Sequence, residues 1–212
     1  MNVENMHIEF KVRIDKSDSL EYADFLPEEI DIFLNRAQDV ITEQLYGAGA
    51  LTEINELWKV WRLEYPLTSY QPSARFPNGY YVDISSITDF LYHVNSYTQV
   101  TRTSFPTITT AEYILNNEIS SNIADAYAVN SYNRPTFKNP VIFFEENTTR
   151  IVLLVDYYTN ATSGFYIEYI KIPTRISLED STDCDLNERL HRKIIDLAVV
   201  FAEKDIEKTQ PQ

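Results

Sequence analysis

Residues 169–207 read YIKIPTRISLEDSTDCDLNERLHRKIIDLAVVFAEKDIE. Pro173 and Arg175 lead into an acidic run, Glu179, Asp180, Asp183 and Asp185, and that run opens a long amphipathic helix. Leu190, Ile194, Leu197, Ala198 and Phe201 recur at the three- and four-residue spacing that places apolar side chains on one helical face. Asp185 precedes Glu188 by three residues. The spacing predicts an N-cap carboxylate with a returning Glu, satisfying amides that the first turn leaves unpaired. The pattern is that of a closing element docked on a core, not of an active site. If the Phe201 ring is fully buried there, its truncation to Ala is expected to cost roughly 3–5 kcal/mol.

The same periodicity recurs near the other end of the chain. Ile30, Phe33, Leu34, Ala37, Val40, Ile41 and Leu45 form one stripe over residues 27–47. Pro27 suits a first helical turn, Glu28 and Glu29 suit the positive helix end, and Gly47 suits the stop. The first residues carry two patterns at once. Met6, Ile8, Phe10, Val12 and Ile14 alternate with polar residues as in a half-buried strand, while Val3, Met6, Phe10 and Ile14 fit a helix. A short helix is expected over 51–57.

From Lys59 onward, β-branched and aromatic runs broken by turn formers predict strands at 61–65, 80–84, 90–101, 141–146, 150–157 and 165–172. The last three are close in sequence and predict an antiparallel meander. Pro66, Pro72, Pro77 and the pair Asn78, Gly79 make 66–79 a surface excursion. Residues 110–120 read as a short helix with Tyr113, Ile114 and Leu115 inward, followed by an irregular polar segment to Pro140. The expected fold class is α+β: helices from both termini packed together beside an antiparallel β-sheet or β-sandwich insertion. A single domain is expected, helical over 1–58 and 185–208 and β-rich over 59–172.

Composition narrows the function. With 212 residues, 44% hydrophobic and 24% charged, the chain can bury one sizeable core. Fifteen Tyr outnumber 11 Phe and 2 Trp, which suits β-strands and also half-buried contact surfaces. A net charge of −14 argues against gripping nucleic acid along the whole surface, because phosphate binding needs clustered Lys and Arg. The same charge serves solubility, or a channel through which DNA slides without sticking. Cys184 is the single cysteine, so no intrachain disulfide forms. No apolar stretch has signal-peptide or membrane-spanning length, and a soluble chain made in a reducing cytoplasm is expected.

The motifs for catalysis are missing. There is no Gly-x-Ser-x-Gly elbow, and with four glycines neither a P-loop nor a dinucleotide fingerprint. His7, His93 and His191 are the only histidines, and His191 adjoins the apolar face of the terminal helix, which suits a solvent-exposed or packing role rather than catalysis. Cys184 stands between Asp183 and Asp185, whose charge raises a thiol pKa. Glu179, Asp180, Asp183, Asp185 and Glu188 offer oxygen ligands to a hard cation, but the spacing is not that of an EF-hand loop and the central Gly is missing. No metal or cofactor is expected. An aromatic sugar-binding or adhesive β-module and a small glycoside hydrolase with paired carboxylates stay open as alternatives.

The quoted stretch, together with LPEEIDIFLNRAQDVITEQLYG at 26–47, resembles the neck ring proteins of tailed bacteriophages, in particular the head-to-tail connectors of crAss-like phages. The likeness is firmest over 1–47 and 169–208. It implies a helix at the N-terminus, no enzymatic activity, and a homo-oligomeric ring, a dodecamer, docked under the portal protein and against adjacent neck or tail proteins at the virion neck. DNA would pass through the channel without specific binding. In such a ring the excursion around Tyr70, Arg75 and Phe76 is a candidate contact with a neighbour, a plain surface loop being the alternative.

Overall fold

The computed structural model describes residues 1–17, 25–48, 55–67, 70–73, 75–76, 78–102, 108–129, 134–145 and 149–209. It is α+β, and the chain divides into two compact units. One comprises Met1–Trp61 with Lys171–Gln212 and is helical; the other, Arg62–Ile170, is built of strands.

The helical unit holds α1 (Val3–Ser17) and α2 (Pro27–Gly47). The expected 51–57 helix lies partly outside the described residues, and Asn55–Leu57 is a 3-10 turn. Helix, not strand, resolves the double pattern at the N-terminus: Val3, Met6, Phe10 and Ile14 are buried, while Ile8 and Val12 are exposed. On α2, Ile30, Phe33, Leu34, Ala37 and Ile41 are buried. Phe10, Phe25 and Phe33 form an aromatic trio with ring centroids 5.8–6.3 Å apart. The terminal helix spans Glu188–Thr209 and packs on both α1 and α2, burying Leu190, Ile194, Ile195, Ala198, Val199 and Ala202.

Its start differs from the expected cap. The amide of Arg189 donates to Asn187 Oδ1 at 3.3 Å, so Asn187 caps the helix. Asp185 is drawn away by Lys171 Nζ (2.5 Å) and by the amide and hydroxyl of Thr174 (3.0 and 2.6 Å). An ammonium together with two neutral donors outcompetes the orphan amides of a helix turn. Phe201 is also less buried than the full core packing its spacing suggested. Its ring is partly exposed beneath the Arg36 guanidinium, 4.4 Å from the ring centroid.

The strand unit is a sandwich of two sheets. Its strands are β1 (Trp61–Leu67), β2 (Tyr70–Pro72), β3 (Gly79–Asp83), β4 (Phe90–Arg102), β5 (Ile108–Leu115), β6 (Asn117–Glu118), β7 (Val141–Phe144), β8 (Arg150–Leu154) and β9 (Thr159–Lys171). A short helix, α3 (Ala124–Val129), follows a 3-10 turn, and the terminal helix is thus α4. One sheet has the order β1-β9-β4-β5, the other β2-β3-β8-β7-β6. Strand β8 is buried on both faces. Ile151 and Leu153 meet Phe165 and Ile167 of the opposing sheet, while Val152 and Leu154 join Phe76, Ala124 and Phe143 on the far side.

Two strand expectations are corrected. β7 and β8 pair antiparallel, Phe144 opposite Ile151, but β9 leaves them for the other sheet, so there is no three-strand meander. Asp156 turns the chain, accepting hydrogen bonds from the Tyr158 amide (3.0 Å) and the Thr159 hydroxyl (2.6 Å), and β9 then packs on β8 through side chains. Residues 108–115 form a strand, not a helix. Tyr113 and Leu115 are 53% and 49% exposed, and Leu115 pairs with Tyr97 across the ladder with β4. The run is rich in β-branched and aromatic residues, and cross-strand pairing outweighs its weak helical spacing.

These placements order the costs of substitution. Ile194→Ala is expected to cost about 2–5 kcal/mol because it opens a cavity in a fully buried site. Phe201→Ala should cost clearly less than the roughly 3–5 kcal/mol of a buried ring, and Asn187→Ala about 0.5–2 kcal/mol as a lost cap. Chemical denaturation of the three variants checks the ranking; a Phe201 variant as damaged as the Ile194 one would refute it.

Candidate assembly surfaces

The segment after β9 is held by polar side chains on one flank of α2. Asn35 Nδ2 donates to the Ile176 carbonyl and its Oδ1 accepts the Ile176 amide, both at 2.8 Å. Gln38 Nε2 donates to the Thr174 carbonyl at 3.0 Å, and Asp31 Oδ2 accepts the Leu178 amide at 3.0 Å. Arg175 pairs with Asp39 at 2.7 Å. The strap then turns back at Ser177–Thr182, where Ser181 takes a left-handed φ of 53°.

The acidic run is therefore structural. Asp183 accepts the amide of Val3 at 2.7 Å and so caps α1 from 180 residues away. Asp180 exchanges hydrogen bonds with Ser177, Asp185 holds Lys171 and Thr174, and Glu188 lies 3.7 Å from the N-terminal ammonium. Among the described residues no group of three or more His, Cys, Asp or Glu is arranged to hold a metal ion.

Each residue considered for catalysis is likewise committed. The Cys184 thiol is buried, donates to Gln38 Oε1 at 3.1 Å, and is pushed up to about 11 chiefly by burial, with Asp185 adding to it. A thiol in that state is no nucleophile. His7 Nε2 lies 2.7 Å from Asp31, and His93 Nδ1 lies 2.6 Å from Glu118, tying β4 to β6 across the sandwich. His191 is buried and donates from Nε2 to the Leu186 carbonyl at 3.0 Å, which fixes its tautomer; Nδ1 is buried without a hydrogen-bond partner. Burial holds its pKa below the ordinary 6.5.

In the strand unit, a cavity of about 340 Å³ is lined by Asn78, Arg102, Arg134, Phe137, Asp156 and Tyr157 among others. Arg102 stacks over Phe137 at 4.4 Å and approaches Asp156 at 3.8 Å. Among the described residues Asp156 is the one carboxylate in the lining, so they offer no facing pair there for glycoside hydrolysis. The exposed tyrosine pairs are not flat platforms for sugar: Tyr157 and Tyr158 meet at 88°, and Tyr113 and Tyr166 at 80°.

Within the 66–79 excursion, Tyr70 stands in β2 opposite Val82. Arg75 is exposed and pairs with Asp125 of α3. Phe76 is buried in the strand unit's own core against Phe143, with ring centroids 5.7 Å apart. A Cβ on Gly79 would stand 2.8 Å from Phe76 Cβ, so the turn closes this tightly only with glycine there. The Arg75 guanidinium lies over the Phe76 ring, 5.1 Å from its centroid, so among the described residues the turn presents its charged side outward and keeps the ring beneath.

What remains exposed is suited to contact rather than chemistry: Ile8, Val12, Ile32 and Val200 on helices, and Tyr113, Leu115, Tyr157 and Tyr158 on the strand unit. Residues 2–212 match the family model described as SU10 adaptor protein. The chain belongs to the SU10 adaptor protein family. It is therefore a phage structural protein of the head-tail adaptor type, and an adaptor works by contacting other virion proteins. No curated protein matches the chain. Among the described residues no helix is long and apolar enough to cross a membrane.

Residue burial sets the adaptor's acid response. The unfolded chain protonates His191 near pH 6.5, the folded chain only lower, so the unfolded state binds more protons in that interval. The ring's contribution is complete above pH 6.5 and falls as the pH drops through that value. Asp185 acts further down. Burial raises its pKa, but the hydrogen bonds from Lys171 and Thr174 outweigh burial and hold it below 3.8, so its contribution is lost as the pH falls below that. Thermal midpoints measured from pH 8 to 3 should decline in two stages, and His191→Gln should flatten the upper one. An unchanged slope in that variant would remove His191 from the account.

Proposed function

We propose that this adaptor assembles into a homo-oligomeric ring, a dodecamer, that joins the portal protein to the tail at the virion neck and continues the DNA channel. The match to the adaptor family over residues 2–212 carries the reading, because it takes in both units. In this reading both units act as one ring-protein domain, and the protein works by assembly without chemistry. The likeness of residues 1–47 and 169–208 to connectors of crAss-like phages supports the position beneath the portal.

The net charge of −14 supports a channel that does not hold DNA. Phosphates and carboxylates repel, and without a counterion-releasing basic lining duplex DNA passes without sticking. The exposed side of Arg75 is a candidate contact with a neighbouring protein, Phe76 bracing the turn from below.

Native mass measurement of the protein, alone and mixed with portal protein, tests the ring. Integer multiples of the 24.7 kDa chain are expected in at least the mixture, and a monomer under both conditions would overturn the reading. Gel-shift titration at physiological salt should give no stable complex with duplex DNA. Tight, sequence-selective binding would defeat the passive-channel part of the reading while leaving the ring intact.

A further inference from the structure

Two exposed stripes of the helical unit are complementary when read in opposite directions. Descending α2 they run Glu43, Asp39, Arg36, Ile32, Glu28; ascending α4 they run Arg189, Lys193, Asp196, Val200, Lys204. The steps are four, three, four and four residues in both helices, a spacing that keeps each set on one face. All ten residues are exposed, Ile32 at 63% and Val200 at 38%. Laid antiparallel, acid meets base at four positions, with the sign reversed at Arg36 and Asp196, and the two aliphatic residues meet at the fifth. Each stripe spans about 22 Å at the rise of an α-helix.

The two stripes cannot meet within one chain, because α2 and α4 already pack on each other through their buried faces. We propose that the acidic stripe of α2 docks antiparallel on the basic stripe of α4 in a second copy of this chain. The proposal rests on the ring reading above and names the surfaces that would close it. A face on one helix meeting a different face on another is a head-to-tail contact, which generates rings when the rotation closes.

Local energetics point the same way. Arg189 occupies the first turn of α4, where the positive end of the helix disfavours a cation. Among the described residues, Glu28, Glu43, Arg189, Lys193 and Lys204 take no part in an ion pair. Asp39, paired with Arg175, Asp196, paired with Arg13, and Arg36, stacked over Phe201 of its own α4, are held by exposed contacts of the kind that exchange at little cost. A single helix pair is a small interface, but every copy in a closed ring makes it twice.

Charge reversal tests the contact under the condition in which the natural chain assembles. Glu28→Lys with Glu43→Lys gives a chain whose two stripes are both basic; Arg189→Glu with Lys204→Glu gives one whose stripes are both acidic. Circular dichroism establishes that each is folded. Each alone should lose the ring species in native mass measurement, and an equimolar mixture should restore it as an alternating ring, because every junction then joins opposite charges. A ring formed by either variant alone, or a mixture of folded variants that stays monomeric, overturns the proposal. Ile32→Asp and Val200→Asp provide a second route if a reversed chain does not fold: each should keep the monomer's thermal midpoint and lose the ring, and retention of the ring counts against the contact. Failure of the natural chain to assemble with or without portal protein would instead overturn the ring reading itself.

Discussion

The helical unit depends on two amide side chains of α2 that read the backbone of an extended strap. Gln38, Asn35 and Asp31 bind residues 174, 176 and 178 in antiparallel order. The seven-residue span on the helix covers about 10 Å and the four-residue span of the strap about 13 Å, so every second residue of the strap finds a partner one helical turn along. The helix thus serves as a substitute strand for a segment that belongs to no sheet. Asn35 alone satisfies both backbone groups of Ile176, which are costly to bury unpaired.

From that contact the rest of the unit follows. Once the strap lies along α2, Ile176 and Cys184 face the core, Asp183 reaches the amide of Val3, and Asn187 is delivered to start α4. Cys184 closes the arrangement by donating to Gln38, the same side chain that holds Thr174. The aspartates of the acidic run are thereby distributed among separate donors. They repel one another less than their crowding in sequence implies, and they are spent on architecture.

The strand unit solves a different problem. β8 has no polar face, since Ile151 and Leu153 point to one side and Val152 and Leu154 to the other. Such a strand needs cover on both sides, which the opposing sheet provides on one face and α3 with the Phe76 turn on the other. Tyrosines then collect at exposed places, as at Tyr113 and Tyr166, whose hydroxyls lie 2.8 Å apart. Rings with polar tips tolerate water on one side and a protein surface on the other, which suits a protein whose work is contact.

The sequence by itself determined α2, the terminal helix and most strand positions, because apolar periodicity is a local signal: α2 spans the expected 27–47, and β3, β4, β7 and β8 fall on expected runs, while the double pattern over α1 and the short α3 were settled only in the fold. It also carried the adaptor likeness at both ends of the chain. It could not show which strands pair, so it predicts the wrong neighbours for β9 and a helix over 110–120 where the chain forms a strand at 108–115; pairing depends on partners far away in sequence. The same holds for the cap, since Asp185 looked like one until Lys171 and Thr174 claimed it. Phe76 looked available for a neighbour, yet its ring fills the gap beside Phe143. The two charge stripes were present in the letters, but only the tertiary structure decided that those ten residues face outward, because exposure is what remains after every longer-range contact has been made.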